Sequence, residues 1–317
     1  MHTPSPVVVF GEVILDLIAD TTGVHVPHTG GSPFNVALAL ARQGVAVHLL
    51  SPLSDDPIGD RFARVLTEAG GLAAGGRSTR PTSVALVWVD AEGQPDYALY
   101  REGIADLDTT PAALMAATPS ETRLAHTGAL TLTPSAVELV HPWMRWLRLQ
   151  GVTISVDVNF RPRAARDLPA YIDAVERTHP LCDIVKLSDE DLRGMGRNGD
   201  LDAEADRILA QLPAHTGLVI VTEGAQGARL VNRRTRVHIP AVPVQTVADT
   251  VGAGDCFQAG LLTALLEQKL LDDHRFAHAD AATLLAVAHQ ACATAAVNVE
   301  RHGCQPPTRA EVHARMS

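Results

Sequence analysis

A chain of 317 residues that is 46% hydrophobic and 20% charged is neither disordered nor short of material for a large packed core. Its 26 Lys and Arg stand against 36 Asp and Glu, and the formal charge of −10 lacks the basic face that a nucleic-acid binder needs. The length admits two domains or one large α/β unit with an insertion, and the pattern along the chain favours a single unit over 1–317.

At the N-terminus, Met1 to Pro6 has no basic region and holds two prolines, so no export signal is expected. The apolar run from Val7 to Phe10 reads as a strand, and Glu12 to Ala19 continues it with alternating character. Further β-branched runs follow at Val45 to Leu50, Arg123 to His126, Val152 to Val158, Ile184 to Leu187 and Leu218 to Thr222. Between them lie amphipathic stretches, Asn35 to Gln43, Asp60 to Ala69, Ser135 to Leu149 and Ala203 to Leu212, with Gly44, Gly70 and Gly151 as C-terminal stops. The alternation predicts an αβα sandwich around a mostly parallel sheet.

Two segments break the rhythm. Ser83 to Arg101 predicts a hairpin turning at Ala91 to Gln94, and with Glu12 to Ala19 it suggests a small antiparallel flap, the lid strands falling at about 12–30 and 82–104. Ordinary edge strands of the main sheet are the alternative. Gly70 to Gly76 reads as a flexible loop. The Ala-rich stretch from Ala281 to Val297 is interrupted by His289 and Gln290 and reads as too polar for a lipid-spanning helix. Cys182, Cys256, Cys292 and Cys304 form no CxxC pair, which suits a reducing cytoplasm.

Several chemistries drop out. The only lysines, Lys186 and Lys269, do not follow glycine, so there is no Walker A loop. Gly252 and Gly254 begin a dinucleotide fingerprint that Phe257 ends, and HExxH and GxSxG are missing. His274 and His278 make one helical pair without a third ligand and read as surface residues.

The strongest signal is Asp249 to Asp255 (DTVGAGD) ahead of an apolar helix. Gly252, Ala253 and Gly254 can aim backbone amides at one point where the helix dipole is positive, an anion hole in which Asp255 could take a proton from an alcohol attacking a phosphoryl group. Asp255 as a mere N-terminal capping acid is the bland alternative. Gly30 to Asn35 (GGSPFN) sets two glycines and an amide before another helix, and Asp16 could take two adjacent hydroxyls of a polyol.

Taken with Val221 to Gly227 (VTEGAQG), these motifs resemble the ribokinase-like, or PfkB-type, carbohydrate kinases over about residues 7–312. The resemblance implies transfer of the γ-phosphate of ATP to a sugar hydroxyl, with Asp255 as base and Gly252, Ala253 and Gly254 as anion hole. It implies Asp16, Gly30, Gly31 and Asn35 at the sugar, Thr222, Gly224 and Gly227 along ATP, and Asn298 near adenine. Asp249 and the Val251 carbonyl match positions for a monovalent cation such as K+, with Gly303 closing the loop. The family's N-x-x-E motif for Mg2+ is altered to Ser188, Asp189, Glu190, Asp191, which leaves open whether Glu190 or Asp191 serves through water or whether both are helix-start acids. Lys186 just before it is either ATP-proximal or a surface residue.

Fructokinases and 2-keto-3-deoxygluconate kinases are the subgroups of closest resemblance. Asp16 suits a neutral sugar, and Tyr100, Arg101, Ala105 and Asp106 resemble the fructokinase pattern. Arg101 with Arg161, beside Asn159 in VNFRPR, could instead clamp a substrate carboxylate. A non-catalytic sugar-binding regulator is the further alternative. Val84, Leu86 and Trp88 on the lid could pair with a second lid in a homodimer.

Overall fold

The computed structural model describes residues 5–19, 23–89 and 95–316. Along the chain come β1 (Val7–Val9), β2 (Ile14–Ala19), β3 (His25–Gly30), α1 (Ser32–Arg42), β4 (Val47–Leu49), β5 (Leu53–Ser54), α2 (Pro57–Glu68), β6 (Leu72–Ala73) and β7 (Arg77–Ser78). Then follow β8 (Ser83–Val89), β9 (Pro95–Tyr100), α3 (Pro111–Ala117), β10 (Leu124–Gly128), α4 (Val137–Leu149), β11 (Thr153–Asp157), α5 (Leu168–Thr178) and β12 (Ile184–Ser188). The last third holds α6 (Asp189–Gly194), α7 (Leu201–Gln211), β13 (Leu218–Thr222), β14 (Ala228–Asn232), β15 (Arg236–Ile239), α8 (Ala253–Glu267), α9 (Ala281–Val299) and α10 (Arg309–Met316).

A nine-stranded sheet runs β15-β14-β13-β12-β11-β10-β1-β4-β6. Neighbours from β13 to β6 pair parallel, and the β14–β15 hairpin closes one edge antiparallel. The parallel strands are buried on both faces, which is why they read as unbroken apolar runs. In β1, Val7 and Val9 enter the core that includes α1, α8 and α9, while Val8 enters the core built with α4, α5 and α7. From β1 the chain builds outward through β4 and β6, then returns to place β10 on the other flank of β1. Such a reversal opens a crevice at the carboxyl ends of the strands.

The second sheet, β3-β2-β8-β9, is separate from the first, which excludes the edge-strand alternative. It is not wholly antiparallel as expected: β2 and β8, the first strands of two hairpins that leave the body in the same direction, pair parallel. Ile14, Ala85, Val87 and Leu99 share the face that packs on Leu130 and Ala164 of the body, and by strand alternation Asp16 lies on that same face. The expected turn at Ala91 to Gln94 lies outside the described residues.

Gly70 to Gly76 is not simply a loop, because β6 within it pairs with β4. Helix α9 is, by length and composition alone, apolar enough to cross a membrane despite His289 and Gln290, which corrects the expectation drawn from those two residues. Its burial against α8 makes it a core helix here.

Candidate functional site

Helices α1 and α8 pack side by side and bring their first turns together over the crevice. At the start of α8, Gly252 takes the left-handed conformation (φ 74°) that glycine adopts without strain. The Ala253 amide donates to the Thr250 carbonyl at 3.1 Å, so of the expected trio it is committed to the turn, and Gly252 and Gly254 keep the amides available to an anion. Asp255 follows, 7% exposed, and its two oxygens accept from Ser32 Oγ at 2.7 Å and Asn35 Nδ2 at 2.8 Å. Burial pushes its carboxyl above the usual range, while those hydrogen bonds and the charges of Lys186 and Arg161 oppose the rise.

Close approach of α1 to the end of β1 depends on Gly31, where φ is 99° and a Cβ would come within 2.3 Å of the Glu12 carbonyl oxygen. Gly30, beside it, packs against the Asp16 carboxylate. Burial and the nearby negative charge of Asp255 raise the Asp16 pKa to about 6. Asn35 spends its amide nitrogen on Asp255, and its buried Oδ1 has no partner among the described residues. An acceptor left bare in that position suits a ligand rich in hydroxyl donors.

Arg101 and Asp106, both expected at the substrate, instead form a bidentate pair at 2.9 and 3.2 Å with side-chain exposures of 13% and 2%. Asp106 also accepts from the Val13 amide at 2.8 Å, and Arg101 donates to Ser83 Oγ at 2.9 Å. The pair thus ties together the roots of β2, β8 and β9. Asp106, expected at the sugar, thus has its charge engaged at the base of the small sheet, and Arg101, expected as part of a carboxylate clamp, is paired with it. Arg161 is exposed, and Asn159, two residues past β11, has φ 38°, a left-handed conformation that asparagine tolerates.

Lys186 is not a surface residue. It is 4% exposed, and its Nζ bonds Asp157 Oδ2 at 2.7 Å because the two residues are register partners on parallel β11 and β12. The ammonium lies only 3.1 Å from where a Cβ on Gly254 would stand, beside the amide cluster. Burial disfavours its charge, but the carboxylates of Asp157, Asp191 and Asp255 outweigh that and hold it protonated.

One strand further, Ser188 and Thr222 are register partners at the carboxyl ends of β12 and β13. Ser188 caps α6: its Oγ accepts from the Asp191 amide at 3.0 Å, and its own amide donates to Asp191 Oδ2 at 2.7 Å. The other Asp191 oxygen accepts from the Phe160 amide at 2.7 Å. Both Asp191 oxygens thus accept from backbone amides, while Glu190, the other acid expected near Mg2+, is exposed. Gly224 is exposed after β13, whereas Gly227 is buried against the Ile239 carbonyl, a position fixed by the edge hairpin rather than by an open cleft.

Asn298 is fully buried, donating to the Val251 carbonyl at 2.9 Å and accepting from the Gln305 amide at 2.9 Å. Both its polar ends are engaged, and it staples two loops together. Asp249 accepts from the amides of Val251 at 2.9 Å and Gly303 at 2.8 Å, and the loop expected to hold a monovalent cation is therefore closed by hydrogen bonds. Among the described residues there is no group of three or more His, Cys, Asp or Glu placed to hold a metal ion.

Sequence reasoning missed Glu12, Ser32 and Asp157. Asp157 was findable from its place at the end of a predicted strand. Glu12 and Ser32 sat inside quoted motifs and needed the tertiary contact to stand out.

The family model for pfkB carbohydrate kinases matches residues 5–311. A fructokinase of Rhizobium leguminosarum bv. trifolii is 34% identical over 275 residues, covering 85% of this chain and 82% of that protein. Fructokinase-2 of Solanum habrochaites is 29% identical over 324 residues, covering 96% and 94%. Among solved structures, fructokinase with bound ATP from Xylella fastidiosa superposes with a TM-score of 0.83 at 27% identity, covering 98% of each chain.

Proposed function

Because the chain belongs to the pfkB family of carbohydrate kinases, we propose that it transfers the γ-phosphate of ATP to a hydroxyl of a ketohexose, with fructose as the acceptor. The observation that carries the reading is the Asp255 carboxylate, oriented by Ser32 and Asn35 at the mouth of an amide-lined helix start.

In this reading the sugar lies between Asp255 and the small sheet, offering hydroxyls to Asp16 and to Asn35 Oδ1. Asp255 accepts the proton of the attacking hydroxyl late, once the phosphoryl group has begun to leave ADP, because a carboxylate is a weak base toward an alcohol. The amides of Gly252 and Gly254 and the Lys186 ammonium meet the charge on the transferring oxygens. Mg2+ bound with the nucleotide would add to the neutralisation of its phosphates, and Glu190 is the residue that would hold its waters. The small sheet acts as a lid that excludes water from ATP before the acceptor is seated.

Fructose is favoured over a keto-acid because Arg101 is already neutralised by Asp106, while Glu12, Asp16 and Asp255 make the sugar site acidic. The reading also includes a monovalent cation at Asp249 and Val251, a cytoplasmic setting for the free thiols, and a homodimer through the lid, where Trp88 is 38% exposed. Hydrodynamic size tests the last.

The deciding experiment is ADP release from Mg-ATP with fructose, 2-keto-3-deoxygluconate, tagatose, ribose and adenosine. Turnover of fructose above the others is expected. Turnover of the keto-acid alone would replace the acceptor, and no turnover with any sugar would leave a sugar-binding regulator of the same fold.

A further inference from the structure

Glu12 is a buried carboxyl without a described purpose. It follows Gly11 at the carboxyl end of β1, where the strand order reverses, and is 3% exposed. Its Oε2 is buried with no hydrogen-bond partner among the described residues. The Glu12 main chain lies against Gly31, the residue from which α1 carries Ser32 and Asn35 to Asp255. Its side chain is within electrostatic reach of Asp255, of the Arg101–Asp106 pair and of Tyr171.

We propose that Glu12 is a substrate-binding residue whose carboxyl engages a hydroxyl of the acceptor sugar next to the hydroxyl that Asp255 deprotonates. A carboxyl oxygen removed from water and left bare destabilises the empty protein, and a polyol seated in the crevice relieves that cost by supplying a donor. A full second anion beside Asp255 would work against the base, but burial raises the Glu12 pKa to about 7, with Arg101 opposing the rise. Near neutrality the group therefore exists in both forms and can accept from a hydroxyl or donate to one. Arg101 is held in place by Asp106 and Ser83 and does not fold over Glu12 to satisfy it. The partner that fits is a neutral hydroxyl.

The assignment rests on the sugar-kinase reading, and the test separates the two. Steady-state kinetics of the wild-type chain, Glu12→Gln and Glu12→Ala are measured with fructose and with each monodeoxyfructose, alongside thermal unfolding to show that each variant is folded. Glu12→Ala is expected to raise the fructose KM about tenfold or more with the ATP KM little changed, and Glu12→Gln, which keeps hydrogen-bonding capacity, to fall between. One deoxy analogue, lacking the hydroxyl concerned, should be used equally well by wild type and Glu12→Ala. If Glu12→Ala does not fold, Glu12→Gln alone carries the comparison.

An unchanged fructose KM, or an equal loss with every analogue, overturns the assignment and reduces Glu12 to a structural acid while the kinase reading stands. A wild-type chain that phosphorylates no sugar overturns both.

Discussion

Ser32 and Asp255 are 223 positions apart in the chain and 2.7 Å apart in space, the hydroxyl of the first donating to the carboxylate of the second. The bond ties the first turn of α1 to the first turn of α8. It orients one lobe of the carboxylate and leaves the remaining lone pairs for an incoming alcohol. Replacement of Asp255 by Asn preserves shape and removes basicity, and kcat should fall by about 10²-fold to 10⁴-fold with the fold intact. Sugar-dependent ADP release together with an unfolding scan checks both halves of that statement, and a variant as active as wild type removes Asp255 from the role of base.

Ser32→Ala withdraws a hydrogen bond that favours the charged form of Asp255. The Asp255 pKa is already above its usual value, and loss of the donor moves it higher. Because the base must be ionised, the acid limb of the kcat/KM profile should shift to higher pH. A profile that keeps its acid limb while losing amplitude would show that Ser32 acts only on packing.

The Arg101–Asp106 pair should behave as a hinge pin. Asp106→Asn leaves a guanidinium of 13% side-chain exposure without its counter-charge at the base of the small sheet. Removing one member of such a pair costs about 3–5 kcal/mol in fully buried cases, and the partial exposure of Arg101 places this one at the lower end. The unfolding temperature should drop and the sugar KM should rise more than the ATP KM, since the loosened sheet covers the acceptor. An equal rise in both would argue against a lid.

Glu12 and Asp16 make stability depend on pH in a defined direction. Their folded pKa values of about 7 and about 6 exceed the ordinary 4.5 and 3.8. Between those limits the folded chain binds more protons than the unfolded chain, so stability falls as pH rises from about 4 to about 7. Glu12→Gln should therefore stabilise the fold at pH 8 by about 1 kcal/mol or more, seen as a higher unfolding temperature, and lose that advantage by about pH 4.5. Thermal melts across that range provide the measurement. A gain in stability joined to a loss of sugar affinity is the exchange expected when a buried group is kept for binding.

Much of the fold is written locally. β-branched runs as buried as Leu218 to Thr222 mark a parallel sheet because both faces of each strand need apolar side chains, and Gly44, Gly70 and Gly151 mark helix ends because their positive φ is strained for other residues. Gly31 before α1 and Gly252 before α8 are legible for the same reason, and the acid at position 255 is legible from its place in the first turn of α8. The β14–β15 hairpin and the β6 edge strand escaped notice because they are short, five, four and two residues, and such runs show little periodicity until a neighbouring strand pairs with them.

What only the tertiary structure decided is which charges are spent and which are left over. Lys186 and Asp157 cancel through strand register, Asp106 is consumed by Arg101, and Asp191 by backbone amides. Glu12 Oε2 and Asn35 Oδ1 are left unpaired among the described residues. Local sequence sets backbone preference and burial within one element. The pairing of a polar group depends on atoms contributed by segments far away in the chain, so it is settled only when those segments pack.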